Sequence, residues 1–217
     1  MIESGPPITD LTLSNGRKKV PLTSLAEIFS GLPLYRLRYR PGAQVSVIQV
    51  KDIKHANEPG WTLSRVPVPD SGQIERYRVK VGDVLVTARG TNLKSCIVSE
   101  EWGGALLTSN LILVRLGEQL RPQLLLAFFQ SSSGRQAMER RLAGSSLLVL
   151  TPKILGEIEV PLLPAARQDA LADLFTLGET QYIEAIAAAQ ARRQLAYRIV
   201  LDSLLGKDKQ SKDGELS

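Results

Sequence analysis

The stretch Glu157-Ile158-Glu159-Val160-Pro161-Leu162-Leu163-Pro164 decides how this chain is organised, because no proline follows it. From Ala165 to Leu205 the sequence is rich in Ala and Leu and carries no helix breaker except Gly178. Read as one helix, at 1.5 Å per residue, it makes a rod on the order of 60 Å long. Apolar and small residues recur at three- and four-residue steps: Leu171, Leu174, Phe175, Gly178, Tyr182, Ala185, Ile186, Ala189, Ala196, Val200 and Leu204. That spacing forms a stripe suited to an antiparallel helix pair or coiled coil. Gly178, Ala185 and Ala189 would let a partner helix approach closely. A domain of modest size cannot cover so long a stripe, so a partner is expected.

Working outward, the 217 residues suit one ordinary domain with an appendage, and 43% hydrophobic content is enough for a real core. The net charge of +5 is compatible with a polyanion partner. Arg36, Arg38, Arg40, Arg65, Arg76, Arg78, Arg89 and Lys94, all in the first half, are the cations to weigh for such a partner. A single cysteine, Cys96, excludes an intramolecular disulfide framework and fits a reducing cytoplasm. No apolar run reaches the length of a membrane span, and no secretory leader is read at the start.

The pattern divides the chain into a loose arm (1–18), a globular α+β domain (19–164), a long helix (165–206) and a solvated tail (207–217). Val20 to Gly31 reads as a short helix with Thr23 or Ser24 as its cap. Val45 to Val50, Tyr77 to Val81, Val84 to Arg89, Ser95 to Ser99 and Leu107 to Leu116 read as strands about ten residues apart. Gly60 to Asp70 reads as a loop. Arg121-Pro122 opens a helix with an apolar face of Leu124, Leu125, Phe128 and Phe129, and Arg135 to Leu142 adds a turn or two. The expected fold is therefore a twisted, mostly antiparallel sheet with short helices, followed by the long helix.

Four segments together resemble half of a DNA-specificity (S) subunit of type I restriction–modification systems. They are Val20-Pro21-Leu22-Thr23-Ser24-Leu25-Ala26-Glu27-Ile28, Gly82-Asp83-Val84-Leu85-Val86-Thr87-Ala88-Arg89-Gly90-Thr91, the run Gly134 to Leu155, and Glu159-Val160-Pro161-Leu162-Leu163-Pro164-Ala165-Ala166-Arg167-Gln168. Such subunits carry two target-recognition domains, each followed by a long helix, and the two helices pair antiparallel as a spacer. The resemblance implies a half-size subunit that dimerises through Leu171, Leu174, Phe175, Gly178, Tyr182, Ile186, Ala189, Val200 and Leu204. It also implies double-stranded DNA and a separate methyltransferase subunit as partners, and leaves open a nuclease subunit. On that reading a homodimer recognises an interrupted palindrome and the chain itself is non-catalytic.

Base reading on duplex DNA uses Arg on guanine and Asn or Gln on adenine, with Lys and hydroxyls on phosphates. The turn Arg89-Gly90-Thr91-Asn92-Leu93-Lys94 offers that combination, and a solvated turn is the plainer reading of it. Arg36, Arg38 and Arg40 alternate, as a DNA-facing stripe or as an ordinary exposed strand face. Ser145, Ser146, Thr151 and Lys153 suit phosphate, or simple loop chemistry. The lone His55 has no catalytic or metal-binding company, and no nucleotide loop, methyltransferase motif or nuclease motif is visible, so no cofactor or metal is expected. A protein- or RNA-binding scaffold is the competing reading.

Overall fold

The computed structural model describes residues 18–33, 42–56, 58, 60–68, 72–90, 93–142 and 149–206. Nine strands are assigned among them: β1 Lys19–Pro21, β2 Ala26–Ser30, β3 Ala43–Ile48, β4 Ser64–Val68, β5 Val84–Thr87, β6 Ser95–Ile97, β7 Leu106–Leu107, β8 Leu111–Leu116 and β9 Glu159–Pro161. The helices are α1 Pro122–Gln130, α2 Ser132–Leu142, α3 Pro152–Gly156 and α4 Ala165–Leu204. The fold is α+β, as expected.

The central sheet has the order β2-β8-β5-β6 and is antiparallel throughout. All four residues of β5 are buried because apolar layers cover both of its faces. Val84 and Val86 join Ile112 and Val114 against Leu125, Phe129, Met138 and Leu155 of the helices. Leu85 and Leu113 turn the other way, onto Ile48, Cys96, Val98 and Trp102. A second sheet, β4-β3-β7, pairs β3 antiparallel with β4 and parallel with β7. A two-stranded ribbon joins β1 to β9, so the start of the described chain is tied to the segment that leads into α4.

Four sequence expectations change. Leu107 to Leu116 is not one strand: Leu106–Leu107 is β7 of the second sheet, and β8 of the central sheet begins at Leu111. The Val20 to Gly31 segment forms only one 3-10 turn, Leu22–Ser24, and then runs as β2. Pairing of Ala26 to Ser30 with Leu116 to Ile112 overrides the local helical pattern. Tyr77 to Val81 is not a strand: Tyr77 ends a 3-10 helix from Gly72, and only Arg78 makes an isolated bridge, to Leu106. The expected loop Gly60 to Asp70 contains β4, whose Pro67 sits opposite Gln44. Proline is tolerated there because β4 is an edge strand, where a missing N–H breaks no second ladder.

Pro122 stands at the first turn of α1, as read from the sequence. The turn or two expected over Arg135 to Leu142 is a longer helix, α2, which takes in Ser132, Ser133 and Gly134 as well. Gly134 permits the sharp junction between the two helices, since a Cβ there would lie 1.9 Å from the carbonyl oxygen of Phe128. Cys96 is buried in the core, as its strand pattern suggested. Burial pushes its thiol up from 9.0 to about 12.

The chain divides into two compact units, Met1–Phe175 and Thr176–Ser217. The first turns of α4 belong to the first unit, where Gln168 and Ala172 are buried.

Candidate nucleic-acid interface

The turn after β5 is built by backbone pairing. Thr87 N–H donates to the Lys94 carbonyl at 2.9 Å, and Lys94 N–H donates to Thr87 Oγ1 at 2.9 Å. Ala88, still buried, donates to the Asn110 carbonyl and accepts from Leu150 N–H at 2.8 Å. Arg89 then emerges exposed, bridged antiparallel to Val149, and Gly90 takes a φ of +117°. The chain can leave the sheet there because glycine tolerates that conformation.

This pairing brings two segments together that are far apart in sequence. Arg89 and Lys94, both exposed, share the end of β5 with Val149-Leu150, and the exposed Lys153 follows one turn into α3. Among the described residues no acidic side chain pairs with Arg89, Lys94 or Lys153. A cation without an acid beside it keeps its full charge for an anion such as phosphate. Thr151 acts locally, since its Oγ1 accepts from Ile154 N–H at 3.2 Å and caps α3. Arg36, Arg38, Arg40, Thr91, Asn92, Ser145 and Ser146 lie outside the described residues.

Of the other first-half arginines named from the sequence, Arg65, Arg76 and Arg78 are engaged locally. Arg78 binds the Glu75 carboxylate and the Gly104 carbonyl, Arg65 donates to the Gln44 carbonyl, and Arg76 lies over the Tyr77 ring. His55 stacks on Trp61 with ring centroids 3.5 Å apart and pairs with Glu58. Trp61 in turn donates to the buried Asp52, so this cluster holds a loop in place.

At the opposite end of β5, Asp83 and Arg115 form a bidentate pair at 2.7 and 3.0 Å. The hydrogen bonds to Asp83 hold the Arg115 guanidinium proton more tightly than usual.

Sequence reading missed Gln168, the residue that roots α4. Its Oε1 accepts from Arg121 N–H, and its Nε2 donates to the carbonyls of Gln119 and Leu163 at 2.8 Å each. Arg121 Nε also donates to Asp169. The available signal was a polar side chain one turn before Ala172 on the inward face of the first helical turns.

Along α4 the stripe residues are open to solvent to different degrees. Leu174 is 63% exposed, Tyr182 56%, Val200 56% and Leu204 77%, while Leu171, Phe175 and Ile186 are half-buried and Gly178 and Ala189 exposed. Leu195, Tyr197, Ile199 and Leu201 are exposed as well, outside the stripe. No helix among the described residues is long and apolar enough to cross a membrane.

No family model and no curated protein matches the sequence. Solved structures do match its fold. One is a chain from a study of complex assembly and conformational transition in a type I restriction–modification system, at 14% identity and a TM-score of 0.59. It aligns with 96% of this chain and 53% of its own length. Another is the HsdS subunit from Thermoanaerobacter tengcongensis, at 16% identity and a TM-score of 0.55, aligned over 94% of this chain and 52% of that one. The chain thus shares its fold with the HsdS subunit, and it spans about half the length of each of these two neighbours.

Proposed function

We propose that this chain is a non-catalytic, sequence-specific DNA-recognition subunit of a restriction–modification methyltransferase complex. The observation that carries this reading is the likeness of nearly the whole chain to HsdS folds. The exposed Arg89 and Lys94 on a rigid sheet end, beside Val149, agree with it. Arg89 reads a base edge, Asn92 serves an adenine, and Thr91, Lys94, Lys153, Ser145, Ser146 and the Arg36, Arg38, Arg40 stripe hold phosphates.

The exposed stripe of α4 supports pairing with a second copy, because closed two-fold symmetry satisfies such a face without leaving an open end. Two identical domains related by a two-fold axis read the same half-site on opposite strands, giving an interrupted palindrome. The methyltransferase subunit docks partly on the paired helices, where Leu195, Ile199 and Leu201 stand outside the stripe.

Selection from random duplexes tests the reading directly. One enriched interrupted palindrome is expected, with retention that falls steeply as salt screens the phosphate contacts. No enriched duplex would favour the scaffold reading instead. The chain incubated with DNA and S-adenosylmethionine should transfer no methyl group until a methyltransferase subunit is added.

A further inference from the structure

We infer that the second helix on α4 is another copy of this chain, running antiparallel with the two-fold axis beside Ile186, so that Glu179 of each chain meets Arg193 of the other. This rests on the homodimer reading above and adds its register. The charges of α4 are segregated along its length. Its first half carries Arg167, Asp169, Asp173, Glu179 and Glu184, and its second half Arg192, Arg193, Arg198 and Asp202. Between them runs Ala185-Ile186-Ala187-Ala188-Ala189-Gln190-Ala191, without charge and almost without bulk.

A parallel, in-register pair would lay acid on acid and base on base, which disfavours that partner. The antiparallel pair lays the acidic half on the basic half and puts the small residues where the helices cross, letting the backbones approach closely. Flanking charges then set the alignment. A two-fold axis perpendicular to both helices brings the same flank of each chain together. At about 100° per residue, Glu179 and Arg193 lie to the same side of the centre line of the stripe formed by Leu171, Phe175, Tyr182, Ala189 and Val200, with Arg193 at its edge, level with Phe175, and Glu179 just beyond. They are also equally distant from Ile186, on opposite sides of it. Centred there, the pair forms twice per dimer, and Tyr182 comes level with Gln190 of the other copy, one residue's rise from the small side chain at Ala189. Arg193 lies against Tyr197 one turn on, 5.4 Å from the ring centroid, so its guanidinium is already held along the helix.

Cross-linking and charge exchange test the register in the full chain. Ile186→Cys should cross-link efficiently to itself under mild oxidation or with a short bis-maleimide, with little background because Cys96 is buried. Gly178→Cys alone should not. E179R and R193E should each weaken the dimer about tenfold, since each creates two like-charge contacts. Mixing the two variants should restore a heterodimer of parental affinity. A dimer that cross-links best away from Ile186, or variants that fail to rescue each other, would overturn the register. A parent chain that sediments as a monomer at tens of micromolar would remove the homodimer reading itself.

Discussion

The carboxylate of Asp83, 3% exposed, receives Nε and Nη2 of Arg115 at 3.0 and 2.7 Å and the backbone N–H of Lys80 at 2.7 Å. The same guanidinium donates to the Arg78 carbonyl, so one ion pair ties β8 to the turn that launches β5. Gly82, at φ +87°, makes that turn possible. The Gly-Asp pair before the hydrophobic strand is therefore structural: glycine for the conformation, aspartate for the tie.

Asp83→Ala should destabilise the chain by about 3–5 kcal/mol, because it strands a partly buried guanidinium. Asp83→Asn keeps an oxygen for Lys80 and should cost less. Replacing both partners, Asp83→Asn with Arg115→Met, should recover part of the loss. Urea unfolding midpoints of the variants test this, and an unchanged midpoint for Asp83→Ala would contradict the tie.

Cys96 should resist thiol reagents in the folded chain at neutral pH and react on unfolding. Its folded thiol ionises at about 12 and its unfolded thiol near 9.0. The folded state holds the proton more tightly, so this contribution to stability is fully present below pH 9 and is lost as pH rises towards 12. Unfolding midpoints measured from pH 8 upward should fall more steeply for the parent than for Cys96→Ala.

Gln168→Ala should cost about 2–3 kcal/mol, since it leaves Arg121 N–H and two carbonyls without their partner at a buried site. Gln168→Glu should be no better, because its second oxygen would face those carbonyls. Hydrogen exchange in the first turns of α4 should rise in both. Protection equal to the parent's would show that the root is held by other contacts.

Arg89→Ala should weaken binding to the selected duplex by about 1–3 kcal/mol and relax one base position in each half-site. An equal loss across all sequences would make Arg89 a phosphate contact. Lys94→Ala should instead weaken binding uniformly and reduce the salt slope by about one.

Much of the fold was legible because its signals are local. The β-branched runs at Val45 and Val84, the Pro122 helix start, the buried Cys96 and the uninterrupted α4 follow from propensity and periodicity. What misled was segments whose pairing lies far away. Ala26 to Ser30 becomes a strand only because β8 is beside it, and Ser64 to Val68 only because β3 offers an edge that tolerates Pro67.

The sequence by itself determined that the chain is α+β and that a long helix with an uncovered apolar stripe follows the domain. These depend on composition and on spacing along one segment. Only the tertiary structure decided which cations stay free of acids, that Arg89 meets Val149, that Asp83 is spent on Arg115, and that Gln168 roots α4. Those pairings join residues tens of positions apart, and their energy comes from burial and hydrogen bonding between elements, which no local pattern records.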